Sequence, residues 1–136
     1  MIIDGSGLIL GRLASEVAKK LLIGESIIII NAEKVVLSGG IRKSYKRYSE
    51  KLKIGSHVKG PFYSRYPDRI VKRVVRGMLP YKKDRGKNAL KRLKVFINCP
   101  EKYKSEKTEK IGKTEDELRC KYTTLGDLCK KVGRYA

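Results

Sequence analysis

The sequence is poor in the residues that build metal centres, disulfides and membrane spans. Its 136 residues include one histidine and three cysteines, with no CxxC pair, so a four-ligand zinc site would need all of them without the usual close spacings. We expect Cys99, Cys120 and Cys129 to be buried, reduced thiols of a cytosolic protein. No run of about 18 apolar residues is present, which excludes a membrane-spanning helix. The start, Met1–Asp4, is unlike a secretory signal.

Acidic side chains are scarce and unevenly placed. Lys and Arg number 33 against 14 Asp and Glu, a formal net charge of +19. Residues 1–41 carry four charges of each sign, residues 42–94 carry 19 basic and three acidic residues, and residues 95–136 carry ten and seven. Because 40% of the residues are hydrophobic, the chain can bury a core. We expect one domain, residues 1–136, whose neutral first part supports a polyanion-binding middle.

Catalytic and nucleotide-binding motifs are missing or incomplete. The Gly5–Gly7 turn is similar to a dinucleotide-binding loop, but the third glycine falls at Gly11, one position late. There is no Walker phosphate-binding loop. His57 has no neighbouring carboxylate to orient it, and Cys99 has no marked base. We predict that the chain is no enzyme and takes no cofactor or small-molecule substrate; the rival hypothesis is a nucleotide-dependent enzyme that uses the glycine turn.

Apolar periodicity predicts a strand, a helix and a strand in the first third of the chain. The strand at Ile2–Ile3 leads into a helix over Gly11–Gly24. The continuous run Ile27–Ile30 is typical of a strand buried on both faces of a parallel sheet. Val35–Leu37 and Val95–Ile97 are predicted to be further short strands.

Further segments are predicted to be helical or extended. An apolar stripe at i, i+4, i+7 and i+11 predicts a helix over Ile41–Leu52. A second helix begins at Pro67, with Met78 on its apolar side and Gly77 at its end. A short helix is predicted over Asp84–Leu93 and a closing one over Thr124–Val132. Residues 101–121 are almost without apolar content, so we expect an extended surface arm.

The helix that begins at Pro67 separates apolar from cationic residues. A merely solvated helix face normally mixes both signs of charge. Here Asp68 is the one acidic residue among five cations, which are Arg65, Arg69, Lys72, Arg73 and Arg76. We therefore predict contact with phosphates. A membrane surface is disfavoured because the core needs the apolar half. RNA is favoured over DNA, since no helix-turn-helix, zinc-finger or basic-zipper pattern is present and the cations spread over helices and loops.

Aromatic residues are interleaved with these cations. Four of them lie in predicted loops: Phe62, Tyr63, Tyr66 and Tyr81. Each either stacks on bases or packs in the core, and the sequence does not decide between the two. Tyr45 and Tyr48 lie on the apolar stripe of the 41–52 helix and are assigned to packing.

One long segment resembles a known family. Residues 60–80 end in Arg76-Gly77-Met78-Leu79-Pro80, Gly86 follows six residues after that proline, and an apolar stretch covers Leu93–Asn98. With Leu10–Ser15 and Asn31–Glu33, this pattern resembles the universal large-subunit ribosomal protein thirteen family in its archaeal and eukaryotic form. The resemblance covers residues 1 to about 100 and is only loose in the tail.

The resemblance implies a three-layer α/β/α fold on a small, mainly parallel sheet, in agreement with the predicted strand–helix–strand unit. The residues themselves add basic loops and a charged C-terminal extension to this prediction. It implies a non-catalytic protein of the cytoplasmic large ribosomal subunit that binds its ribosomal RNA, adjoins other ribosomal proteins and supports assembly. It implies RNA-backbone contacts by Arg69, Lys72, Arg73, Arg76, Lys82, Lys83, Arg85 and Lys87. The remaining predicted RNA-binding residues are Arg42, Lys43, Lys46, Arg47, Lys59, Tyr63, Arg65, Lys91 and Arg92.

Overall fold

The computed structural model describes residues 1–133, which contain five strands and five α-helices. Within that range, the elements in chain order are β1 (Ile2–Asp4), α1 (Leu10–Ile23), β2 (Ile27–Ile30), β3 (Val36–Ser38), α2 (Ile41–Lys53), α3 (Pro67–Met78), α4 (Asp84–Lys91), β4 (Leu93–Val95), β5 (Tyr122–Thr124) and α5 (Leu125–Val132). The predicted α/β fold with a small, mainly parallel sheet is confirmed.

The central sheet has the strand order β1-β2-β4, and both pairings are parallel. Ile28 is paired with Ile2 on one side, and Ile27 with Leu93 on the other. Parallel strands need a crossover connection, and α1 and the α3–α4 pair supply the two. Three of the four isoleucines of β2 are buried and Ile28 is partly buried, so the prediction of a strand covered on both faces is confirmed with that one exception.

The core forms where α1 and α3 pack together against this sheet. Leu13, Val17 and Leu21 recur at helical spacing on α1 and are fully buried, as are Val71 and Val75 on α3. Burial of such side chains stabilises the fold by about 1.5–3 kcal/mol each. The apolar side of α3 is therefore committed to the core, and its other side is left to solvent.

The structure has a second sheet of two strands, β3 and β5, of which the sequence predicted only β3. β3 pairs antiparallel with β5, and Leu37 lies opposite Thr123. The three residues of β5 are too few for a periodic pattern, so that strand was missed in the sequence. The Thr124 hydroxyl caps α5 by accepting a hydrogen bond from the Asp127 amide at 3.1 Å, and α5 buries Leu128 and Cys129, in agreement with the helix predicted there.

The segment 101–121 lies along the free edge of β1. The Asp4 amide donates to the Glu109 carbonyl at 3.1 Å, and the Glu109 amide donates to the Ile2 carbonyl at 2.9 Å. Its side chains are mostly exposed. The segment thus covers a strand edge that would otherwise present unpaired backbone groups.

Several sequence-based assignments were wrong. The third strand of the main sheet is Leu93–Val95 rather than Val95–Ile97, because the alternation of buried Leu93 with exposed Lys94 was hidden beside the longer apolar run. The end of α3, in contrast, was predicted correctly from Gly77 and Pro80, since the helix ends at Met78, between those two residues. Met78 is 43% exposed, since the neighbouring Leu79 takes the buried position at the end of the helix.

Candidate nucleic-acid interface

The solvent side of α3 is a row of cations. Arg69, Lys72 and Arg76 are exposed and Arg73 is partly exposed. They recur every three or four residues, which places them along one side of the helix. Asp68, in the first turn of α3, is the one acidic residue of the helix, so negative charge within α3 offsets little of this positive row.

Tyrosines from the two loops that flank α3 lie against its arginines. The guanidinium carbon of Arg73 is 4.0 Å from the ring centroid of Tyr63. Arg76 lies 4.7 Å from Tyr81, and Arg69 lies 5.5 Å from Tyr66. All three distances fall within the range of cation–π attraction.

The exposure of the loop aromatics tests the two roles that the sequence left open for them, stacking on bases and packing in the core. Phe62 is 66% exposed, and Tyr66 and Tyr81 are each 40% exposed, so core packing does not describe them. Tyr63 is partly buried beside Arg73. Three of the four rings therefore have a third kind of partner that the sequence did not suggest, an arginine of α3.

The loop before α3 is fastened to both neighbouring helices. The Tyr48 hydroxyl on α2 donates to the Ser64 carbonyl, and the Arg73 guanidinium donates to the Phe62 carbonyl at 2.6 Å. Burial raises the pKa of Tyr48 to about 12, so its phenol stays protonated and can donate at neutral pH. Tyr48 thus packs as predicted, and it also joins α2 to the loop.

A cleft of about 600 Å³ opens between α3 and α4. Four cations and two other side chains line it: Lys72, Arg76, Tyr81, Lys87, Leu90 and Lys91. Gly86, in the first turn of α4, lets that helix lie directly against the turn that follows α3: a Cβ there would overlap the Pro80 carbonyl. This close packing explains why the sequence pattern has a glycine, Gly86, six residues after Pro80.

A narrower groove of about 380 Å³ lies between α2 and α3. Lys43, Arg47 and Lys51 line it from α2, beside apolar side chains that include Ile70 and Val74 of α3. Lys51 was absent from the predicted site, although it continues the i, i+4 spacing of the other two.

Tyr45 was assigned to packing but is 37% exposed. The reason is that α2 buries no residue completely, and the Tyr45 ring faces the Lys131 ammonium at 5.5 Å. The apolar stripe of α2 therefore covers the core less tightly than the spacing of its residues predicted.

We refer to the cations of α2, α3 and α4 and of the turn between α3 and α4 as the cationic surface. Its members are Arg42, Lys43, Lys46, Arg47, Lys51, Lys53, Arg69, Lys72, Arg73, Arg76, Lys82, Lys83, Arg85, Lys87 and Lys91. Among residues 1–133, Lys87 is the one member within salt-bridge distance of a carboxylate, Asp84 at 3.4 Å, and that pair is exposed. Exposed pairs of this kind contribute little, so carboxylates within residues 1–133 leave most of the positive charge of this surface uncompensated.

Three predicted RNA-binding cations lie outside this set. Lys59 is exposed in the loop before α3, and Arg65 is partly exposed beside Tyr66 and Arg69 in a shallow pocket. Arg92 is turned away from both grooves, because its guanidinium donates to the Leu21 carbonyl at 2.8 Å at the end of α1. The Leu21 carbonyl also accepts from the Gly24 amide at 3.2 Å, so Arg92 adds a second hydrogen bond that ties it to the C-terminal end of α1.

The glycine turn between β1 and α1 is occupied by the chain itself. The Asp4 carboxylate accepts from the Ser6 amide at 3.0 Å, and the Ile9 amide donates to the Lys113 carbonyl at 3.0 Å. In a dinucleotide site, such amides at a helix N-terminus would face a phosphate. Burial raises the pKa of Asp4, but hydrogen bonds from Asn31 and Ser6 lower it to below its ordinary value. The turn therefore holds a negative charge that opposes a phosphate.

The cysteines differ from one another in burial. Cys129 is buried on α5, whereas Cys99 is partly buried and Cys120 is exposed in the segment before β5. The prediction of three buried thiols is therefore confirmed for Cys129, only partly met by Cys99 and wrong for Cys120. Within residues 1–133, no group of three His, Cys, Asp or Glu side chains is placed to hold a metal ion. In the same range, no helix combines the length and the apolar character needed to cross a membrane.

The fold and the cationic surface together define a class: a small, basic α/β protein whose helices bury one face in the core and expose a cationic face. A family model described as "Ribosomal protein L13" matches residues 1–102. The chain belongs to the ribosomal protein L13 family, as the pattern in residues 60–80 indicated.

Curated relatives agree over nearly the whole chain. The protein named "Large ribosomal subunit protein uL13" in Archaeoglobus fulgidus is 47% identical, over 97% of this chain and 86% of its own length. The protein of that name in Methanosarcina barkeri is 48% identical, over 97% of this chain and 96% of its own. In Thermoplasma acidophilum the identity is 43%, over 98% of both.

Thiol reactivity should reflect the difference in burial. Burial, and secondarily the Asp68 carboxylate, raise the pKa of Cys129 to about 12, so at pH 8 little of it is thiolate and the reagent cannot reach it. We expect a maleimide to label Cys120 at least about tenfold faster than Cys129 in the folded protein. Mass spectrometry of timed digests measures both rates. Equal rates in the folded protein, rather than only in urea, would contradict the placement of α5.

Proposed function

We propose that this chain is a structural constituent of the large ribosomal subunit, where it binds the subunit's ribosomal RNA and supports assembly. Its family, and the printed names of relatives that are 43–48% identical over at least 97% of the chain, support that role. The observation that carries the RNA-binding part is the cationic surface, which joins α2, α3 and α4 and contains one exposed ion pair.

RNA phosphates suit this surface better than a compact anion would. Residues 42–94 carry a net charge of +16, and most of their cations lie on three helices and in the turn between two of them. Like charges at this density repel one another, and an extended polyanion relieves that repulsion and releases its own counterions. Folded RNA offers phosphates at many angles, which matches cations that face several directions.

We propose a structural rather than a catalytic role. The rival, a nucleotide-dependent enzyme, requires free amides at the glycine turn, and there the Ser6 and Ile9 amides are bonded within the chain. Neighbouring large-subunit proteins are proposed as further partners, and the cytoplasm as the location, both on the strength of the family. Of the predicted cations outside the cationic surface, Lys59 and Arg65 remain in the proposed RNA contact and Arg92 does not.

Cosedimentation tests the role as a ribosomal constituent. In a sucrose gradient of lysate from the source cells, we expect the protein to migrate with large subunits and their precursors. It should leave them in high salt, because its proposed contacts are largely electrostatic. A protein found only in the light fractions at low salt would overturn the proposal.

The salt dependence of RNA affinity tests the surface itself. We expect Lys72→Ala and Arg76→Ala to weaken binding to a large-subunit ribosomal RNA transcript, and each to reduce the slope of log affinity against log salt concentration by about 0.7–0.9. Filter binding over a series of salt concentrations measures the slope.

The matched control is Lys107→Ala, an exposed lysine on the segment that lies along β1. It should leave the slope unchanged. Slopes that are unchanged in both α3 variants but reduced in the control would place the RNA contact on the β1 edge instead.

A further inference from the structure

Three arginine–tyrosine contacts follow one another along α3. Arg69, Arg73 and Arg76 are four and three residues apart, and each has one ring within 5.5 Å. The rings come from both ends of the helix, since Tyr63 and Tyr66 precede it and Tyr81 follows it. Every arginine of α3 is therefore held from a neighbouring loop.

A ring occupied in this way is poorly placed to stack on a base. The face of Tyr63 turned to Arg73, at 4.0 Å, is no longer available to a nucleotide. The guanidinium, in contrast, keeps the N–H groups at its edges for phosphate oxygens when its flat face lies on a ring. The arrangement favours phosphate contact by the arginines over base contact by the tyrosines.

We propose that Tyr63, Tyr66 and Tyr81 are positioning residues of the RNA-binding surface, which act through Arg73, Arg69 and Arg76. The inference rests on the proposed function and assigns these rings a part in it. A long arginine side chain loses rotamer freedom when it binds a phosphate. A ring that already restricts the guanidinium in the free protein reduces that loss, and so strengthens binding without touching the RNA.

The pair Arg76 and Tyr81 offers the cleanest test. Both side chains are exposed and both line the cleft between α3 and α4, so their replacement should leave the core intact. Arg73 is less suitable because it also bonds to the Phe62 carbonyl and holds the loop.

A double-mutant cycle separates positioning from base stacking. Affinity for a large-subunit ribosomal RNA transcript is measured for the wild type, Tyr81→Leu, Arg76→Ala and the double variant at one salt concentration. We expect Tyr81→Leu to weaken binding about two- to fivefold when Arg76 is present. It should have no further effect in the Arg76→Ala background, since the tyrosine acts through that guanidinium.

The conservative variant and a control complete the design. Tyr81→Phe keeps the ring and should retain wild-type affinity, while Tyr122→Leu removes an exposed tyrosine on β5 and should also leave affinity unchanged. Melting temperatures identify any variant that fails to fold; the Arg69 and Tyr66 pair then replaces the first, with a smaller expected effect because its distance is longer.

Two failures can be told apart. If Tyr81→Leu weakens binding equally in both backgrounds, the ring contacts RNA directly and the inference is overturned, while the proposed function stands. If the wild-type protein does not bind the ribosomal RNA transcript, the proposed function itself is overturned.

Discussion

The burial of one side of α3 is the interaction on which the rest of the structure depends. Val71 and Val75 are fully buried against α1 and the central sheet. This packing fixes the rotation of the helix about its axis, and therefore the direction in which its arginines and Lys72 face. The tyrosine loops before and after α3, and the cleft with α4, are built on a helix whose orientation the core has already set.

The same arrangement concentrates positive charge. Cations three and four residues apart on one helix repel each other by a few tenths of a kcal/mol per pair, and α2 and α4 add more on either side. Contacts with tyrosine rings reduce this cost only in part. Fold stability and the proposed RNA binding are thus linked, since the hydrophobic core holds together a surface whose mutual repulsion RNA phosphates would relieve.

The sequence predicted buried and exposed positions well in elements that are long or uniformly apolar. The twelve residues of α3 show both sides of the helix at once, and the unbroken run Ile27–Ile30 was enough to identify a buried strand. Elements of three residues were less predictable: β5 was missed and β4 was misplaced by two residues, because so short a pattern is ambiguous.

Side-chain partners were beyond the reach of the sequence. Arg92 was grouped with the other cations because of its charge. Its hydrogen bond to Leu21 joins residues 71 positions apart, so no local pattern could reveal it. The loop tyrosines could be placed near cations, but their pairing with particular arginines depends on how the loops fold back. Fold class, cationic segment and family were therefore predictable. Which cations are exposed for RNA contact, and which bond within the protein as Arg92 does, depends on the three-dimensional packing.

The most direct test of the central claim is a map of protein–RNA crosslinks on assembled large subunits. Photoreactive groups at Lys72, Lys87 and Lys107 would compare the cleft between α3 and α4 with the segment along β1. The account predicts crosslinks to ribosomal RNA from Lys72 and Lys87 that exceed those from Lys107. RNA crosslinks confined to Lys107, with Lys72 and Lys87 reaching only protein, would contradict it.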